Sequence, residues 1–137
     1  MLATTLNTNE VKQRAGTEVE FQHLAQNDRS TEFGQITETP VGKHRLKVSH
    51  QEIGTGVEMR RRSASIITKK VAGVSGTYRE IKATVNLDIP VGDLATYDDV
   101  KDVLAEVGSF CFTAAGSTTF QYDGSGTGAA ALLSGGL

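Results

Sequence analysis

"REIKATVNLDIPVGDLATYDDVKDVLAEV", residues 79–107, changes its hydrophobic period partway along. Ile81, Ala83, Val85, Leu87 and Ile89 alternate with Glu80, Lys82, Thr84, Asn86 and Asp88, the period of two of a strand with one wet face. Pro90 and Gly92 end that strand. Beyond them Val100, Val103, Leu104, Val107 and Phe110 recur at helical spacing, which predicts an amphipathic helix over about 97–109. Thr96 is placed as its N-cap, with Asp99 three positions on as in a capping box. Asp98, Asp99 and Asp102 suit the positive end of the helix dipole.

Upstream of this stretch the strand signals continue. "HRLKVSHQEI", residues 44–53, sets Leu46 and Val48 against Arg45, Lys47, Ser49 and Gln51. "MRRRSASIITKKV", residues 59–71, is rich in β-branched residues yet carries five positive charges. "GTG" at 54–56 and "AGVSG" at 72–76 are tight connections, so three consecutive antiparallel strands are expected. "TEVEFQHLAQ" (17–26) and "TEFGQIT" (31–37) are shorter strand candidates around a turn at "NDRS" (27–30). Residues 2–11 suit one more edge strand, linked by "KQRAG".

The pattern predicts an α+β fold: an N-terminal β-hairpin at 1–26, an antiparallel five-stranded sheet at 31–90, then a C-terminal helix or helices. A single domain spans 1–122, and 123–137 reads as a Gly/Ala-rich tail. Residues 113–122 and 128–134 both suit a second helix. One helix is narrow for covering five strands spaced ~4.8 Å apart. A partner subunit's helix would complete the cover.

The 137 residues suffice for one domain with a modest core. Hydrophobic residues at 38% and aromatics at 6%, with no Trp, are lean for an isolated globule and favour self-association. Cys111 is the one cysteine, which excludes an internal disulfide framework and suits a reducing compartment. No apolar run reaches the ~18–20 residues of a membrane span, and the N-terminus lacks the layout of a secretory signal. No membrane partner is expected.

The net charge of −2 hides a segregation. Residues 43–82 hold ten basic and three acidic residues, a net of +7; the remainder holds four basic and thirteen acidic, a net of −9. Charge alone leaves two readings, a surface for a polyanion or a solvated face paired with acids from elsewhere. Alternation sharpens the first. The polar faces of the three central strands read Arg45, Lys47, Ser49, Gln51; Arg61, Ser63, Ser65; and Lys82, Thr84, Asn86. Lys and Arg neutralise phosphates, while hydroxyls and amides bond phosphates and base edges. Arg60 and Arg62 fall on the alternate register, toward the strand's edge or toward acids.

The strand order, the basic "HRLKVSHQEI…RRRSASI" hairpin and the "LDIP" strand end before a Thr-led acidic helix start resemble the coat proteins of single-stranded RNA bacteriophages, the leviviruses, over about residues 17–112. The resemblance implies a structural, non-enzymatic capsid protein. Two subunits would join their sheets edge to edge, each helix crossing the partner's sheet through Val100, Val103, Leu104, Val107 and Phe110. The homodimers would build an icosahedral shell around genomic single-stranded RNA, held on the inner sheet face at Arg45, Lys47, Ser49, Arg61, Ser63, Ser65, Lys82, Thr84 and Asn86. It also implies translational repression through an RNA hairpin, synthesis in a bacterial host cytoplasm and residence in the virion. The chain departs from the family in its short 69–77 connection and its Gly-rich tail. Lys82 stands where some members place a base-stacking aromatic, which implies charge-dominated binding.

Two other classes remain open: a free dimeric RNA-binding regulator, and a small cytosolic α+β enzyme. The enzyme would need polar residues on the helix-covered face, which instead reads Ile81, Ala83, Val85, Leu87. No catalytic residue, cofactor, metal or small-molecule substrate is expected. His23, His44, His50 and Cys111 lack zinc-ligand spacing. Ser49 and His50 are neighbours whose side chains point to opposite faces of a strand. Cys111, between Phe110 and Phe112, suits a packed thiol, and the Arg61-Arg62-Ser63 match to a kinase site lies inside a strand.

Overall fold

A computed structural model of the chain describes residues 2–92, 94 and 96–135. The first residue of the expected hairpin and the last two of the expected tail lie outside the described residues. Six strands, β1 (Thr5–Leu6), β2 (Phe21–Asn27), β3 (Ser30–Gln35), β4 (His44–Ile53), β5 (Arg60–Ala72) and β6 (Tyr78–Pro90), are followed by two helices, α1 (Asp98–Phe112) and α2 (Thr127–Ser134). The strands form one antiparallel sheet in sequence order, β1 to β6. The sheet thus has six strands, not five. Residues 30–90 supply four of them, and β1 and β2, from the segment expected as a separate hairpin, extend the same sheet.

The chain divides into a sheet unit, residues 1–11 and 19–93, and a helical unit, residues 12–18 and 94–137. Within the sheet the turns follow their glycines. Gly54 opens the β4–β5 turn at φ +86°, and a Cβ there would lie 2.6 Å from the Glu58 carbonyl oxygen. In the β5–β6 turn the Gly73 amide donates to the Thr77 carbonyl at 2.9 Å, and Gly76 takes φ +80°.

The core lies on one sheet face. Leu6 pairs with Phe21 and Phe33 with Leu46, the two pairs sharing this face, and Val19 joins them, with Val11, Val48 and Ile67 packed around. Phe21 and Phe33 are fully buried. Replacing either by Ala would cost about 3–5 kcal/mol. The same face continues over β5 and β6, where Ile67 and Leu87 are half-buried and Ile89 is buried, while Ile81 is 59% and Val85 49% exposed.

In the helical unit α1 has no buried residue, and Val103, Leu104, Val107 and Phe110 are 45–60% exposed. The helix begins one residue later than expected and runs to Phe112. The expected Thr96–Asp99 capping box is absent: Tyr97 holds the N-cap position, so Thr96 lies one residue too early and accepts only a long bond, 3.4 Å, from the Asp98 amide. α2 falls inside the segment read as tail. It meets the end of α1 through Gly126 and Gly128, where a Cβ on Gly128 would lie 2.7 Å from the Phe110 ring and 2.8 Å from its carbonyl oxygen. Phe112, Phe120 and Tyr122 stack beside this contact, with ring centroids 4.9 and 4.6 Å apart.

Candidate nucleic-acid interface

Residues directly paired across antiparallel strands point to the same face, so the register maps the surface opposite the core. Four rows cross β4, β5 and β6 there: Gln51–Arg62–Asp88, Ser49–Ala64–Asn86, Lys47–Ile66–Thr84 and Arg45–Thr68–Lys82. Ser30, Glu32 and Gly34 of β3 extend the last three rows. Arg60 lies beyond the first row, and Lys70, opposite Glu80, beyond the last. Lys47, Arg60, Arg62, Lys70 and Lys82 are exposed. The centre is a neutral strip of hydroxyls and amides, Ser30, Ser49 and Asn86 with Asn27 of β2, with cations on both sides.

Of the nine residues expected to face RNA, the sheet brings six together on this face: Arg45, Lys47, Ser49, Lys82, Thr84 and Asn86. Arg61, Ser63 and Ser65 lie on the opposite face, beside Ile89, Leu87 and Val85. There the His50 Nδ1 and the Ser63 hydroxyl are 2.8 Å apart. Arg60, Arg62 and Ala64 take the expected places, and Arg62 does pair with an acid, Asp88. The cause is that β5 has no polarity of its own. Arginines occupy both faces at its start and isoleucines both faces at its middle. Its register comes from its neighbours: Leu46 pairs with Ile67, and the five-residue turn 73–77 sets Thr68 opposite Lys82. Two opposite-charge pairs, Glu52 with Arg61 and Arg62 with Asp88, were the legible signal for this register.

The face also holds acids that β4–β6 polar patterning through Asn86 leaves out. The Arg45 guanidinium spans Glu38 at 2.7 Å and Glu32 at 3.1 Å. Glu38 also accepts the His44 amide at 2.9 Å. Burial pushes the Glu38 carboxyl up. The Arg45 hydrogen bond, the His44 amide and the charges of Arg45 and Lys43 outweigh it and hold the carboxyl below its ordinary value. Arg45 is therefore a staple between β3, β4 and the loop before β4, less available to an outside anion than sequence patterning implies. Arg62 holds Asp88 through two bonds, Nε to Oδ1 at 2.9 Å and an Nη2 bond to Oδ2 at 3.1 Å. The Asp88 carboxyl lies below its ordinary value through that Arg62 bond and the charges of Arg62 and Arg60.

On the core face His44 is 8% exposed, edge-on to Phe21 at 5.1 Å and directly opposite Lys69. Its Nδ1 is the buried side-chain polar atom without a hydrogen-bond partner among the described residues. Burial, then the Lys69 charge, lowers its pKa, against the opposing pull of Glu38. Among the described residues no three His, Cys, Asp or Glu side chains converge as metal ligands do, and no helix is long and apolar enough to cross a membrane.

No protein-family model matches the chain. No curated protein sequence matches it either. Solved structures do. The coat protein of bacteriophage EMS014 superposes with a TM-score of 0.65 at 10% identity, over 87% of each chain. A virus-like particle of the same phage gives 0.65 at 14% identity, over 95% of this chain and 88% of that one. The virus-like particle of Beihai levi-like virus 32 gives 0.56 at 18% identity, over 67% and 75%. At these identities the likeness is one of fold, and the fold of this chain is that of the coat proteins of levi-like bacteriophages.

Proposed function

We propose that the chain is a capsid protomer without catalytic activity. It dimerises, closes into a shell with further copies and binds single-stranded RNA on the polar sheet face. The observation that carries this reading is a two-faced sheet with an open end. β6 is the last strand in the order, and its 13 residues form an edge. An edge that long, with exposed Ile81 and Val85 on one side, is a template for a second copy. Pairing two β6 strands about a two-fold axis gives a self-complementary interface and continues both faces across the dimer. The apolar face of α1, at Val100, Val103, Leu104, Val107 and Phe110, then covers the partner's open sheet. The polar rows, doubled by the same axis, form one cation-flanked platform for RNA. Charge-led contacts through Lys47, Lys82, Arg60 and Lys70 favour binding with little sequence selectivity. Recognition of a particular RNA hairpin would rest on the neutral Ser49–Asn86 strip.

The test is to purify the protein and follow particle size by light scattering, with nuclease digestion before RNA extraction. The expected result is a particle many times larger than a dimer that protects RNA. A dimer that binds RNA and never grows would favour a free regulator, which would share the platform but not the shell.

A further inference from the structure

The bidentate Arg62–Asp88 pair has the geometry with which an arginine holds a phosphate. We infer that Asp88 is a built-in phosphate competitor, which occupies Arg62 and holds down the affinity of the polar face for single-stranded RNA. This rests on the RNA-binding reading of that face.

Three observations separate this pair from the other carboxylate contacts there. Asp88 is bonded to Arg62, whereas Glu38 is held by both Arg45 and the His44 amide. The side chains of Arg62 and Asp88 are 45% and 34% exposed, against 27% and 18% for Arg45 and Glu38, so an incoming anion can reach the first pair more easily. Arg60 lies on the same face one pairing step away, and its charge also acts on Asp88. A phosphate arriving between Arg60 and Arg62 would therefore meet two guanidiniums, one of them already engaged. Taking Arg62 would leave the Asp88 carboxylate beside the phosphate. The exchange swaps one charge-assisted pair for another and adds a repulsion, so RNA gains little from Arg62 while Asp88 is charged. Glu80, opposite Lys70 on the same face, has no ion pair within 4 Å among the described residues and serves as a matched control.

The experiment is a salt titration of full-length protein with a short labelled RNA of unrelated sequence. It compares wild type with Asp88→Asn, Arg62→Ala, the two combined, Glu80→Gln, and Lys47→Ala with Lys82→Ala. Asp88→Asn should tighten binding by up to about fivefold at low salt, the scale of an exposed ion pair, and steepen the salt slope by about 0.7. Most of that gain should vanish in the Arg62→Ala background, and Glu80→Gln should give much less. Equal gains from Asp88→Asn and Glu80→Gln would overturn the competitor role in favour of net charge. No gain from Asp88→Asn, in a protein whose slope is flattened by the Lys47/Lys82 pair, would also overturn it and leave the RNA face intact. A slope unmoved by Lys47/Lys82 would instead overturn the RNA reading of this face. Thermal melting of each variant checks that the fold is unchanged.

Discussion

Two double substitutions remove the same charge from opposite faces of the sheet. Lys47→Ala with Lys82→Ala strips the polar face, and Arg61→Ala with Arg79→Ala strips the core-side face. All four side chains are exposed, so neither pair opens a cavity. If RNA phosphates lie on the polar face, the first pair loses two contacts and the second none. Each contact to a single strand contributes about 0.7 to the slope of log affinity against log salt. The Lys47/Lys82 variant should therefore bind with a slope flatter by about 1.4. Between about 50 and about 200 mM salt, its affinity deficit relative to wild type should shrink about sevenfold. The Arg61/Arg79 variant should keep the wild-type slope, with only a small loss from net charge. The assay is fluorescence anisotropy over a salt series. Equal flattening by both pairs would refute the face assignment, because net charge alone would then account for binding.

Other outcomes follow from the same geometry. Leu104→Asp places a charge on the apolar face of α1; if that face is buried between copies, dimer stability falls by several kcal/mol, read by sedimentation against concentration. Gly128→Val sets side-chain atoms against the Phe110 ring and carbonyl, so α2 should detach from α1 at a cost of about 1–3 kcal/mol, read as faster proteolysis near residues 113–127. His44 has a folded pKa below its unfolded value of about 6.5, so as pH falls through that value the unfolded chain takes up a proton that the folded chain resists. Stability should drop on acidification from about pH 7 to 5, and His44→Phe should flatten that drop. Glu38 adds its own loss only below its ordinary carboxylate range.

What the sequence disclosed depended on how strongly each element patterns itself. β6 alternates over ten residues and α1 carries a clean apolar stripe, so both were legible to within a few residues. β4 was legible through Leu46 and Val48. β5 was legible as a strand but not in its register, because both of its faces carry arginine and isoleucine, and only its neighbours choose between them. The loss of Arg61, Ser63 and Ser65 from the polar face follows directly. The Arg45 staple was hidden because Glu38 lies in a loop, where no periodicity reports which way a side chain turns. α2 was legible only as one of two candidates, 128–134 beside 113–122, and no periodicity marks glycines 126 and 128 as the close-contact points that seat it against α1.

The proposed shell protomer turns its polar sheet face toward RNA. Electron microscopy of the purified particle, carried to a resolution that traces strands, tests it most directly. The expected result is closed shells of uniform size, β6 of one copy paired antiparallel with β6 of its partner, and Lys47 and Lys82 facing internal nucleic-acid density. Dispersed dimers under every assembly condition, or closed shells with Lys47 and Lys82 on the outer surface, would contradict it.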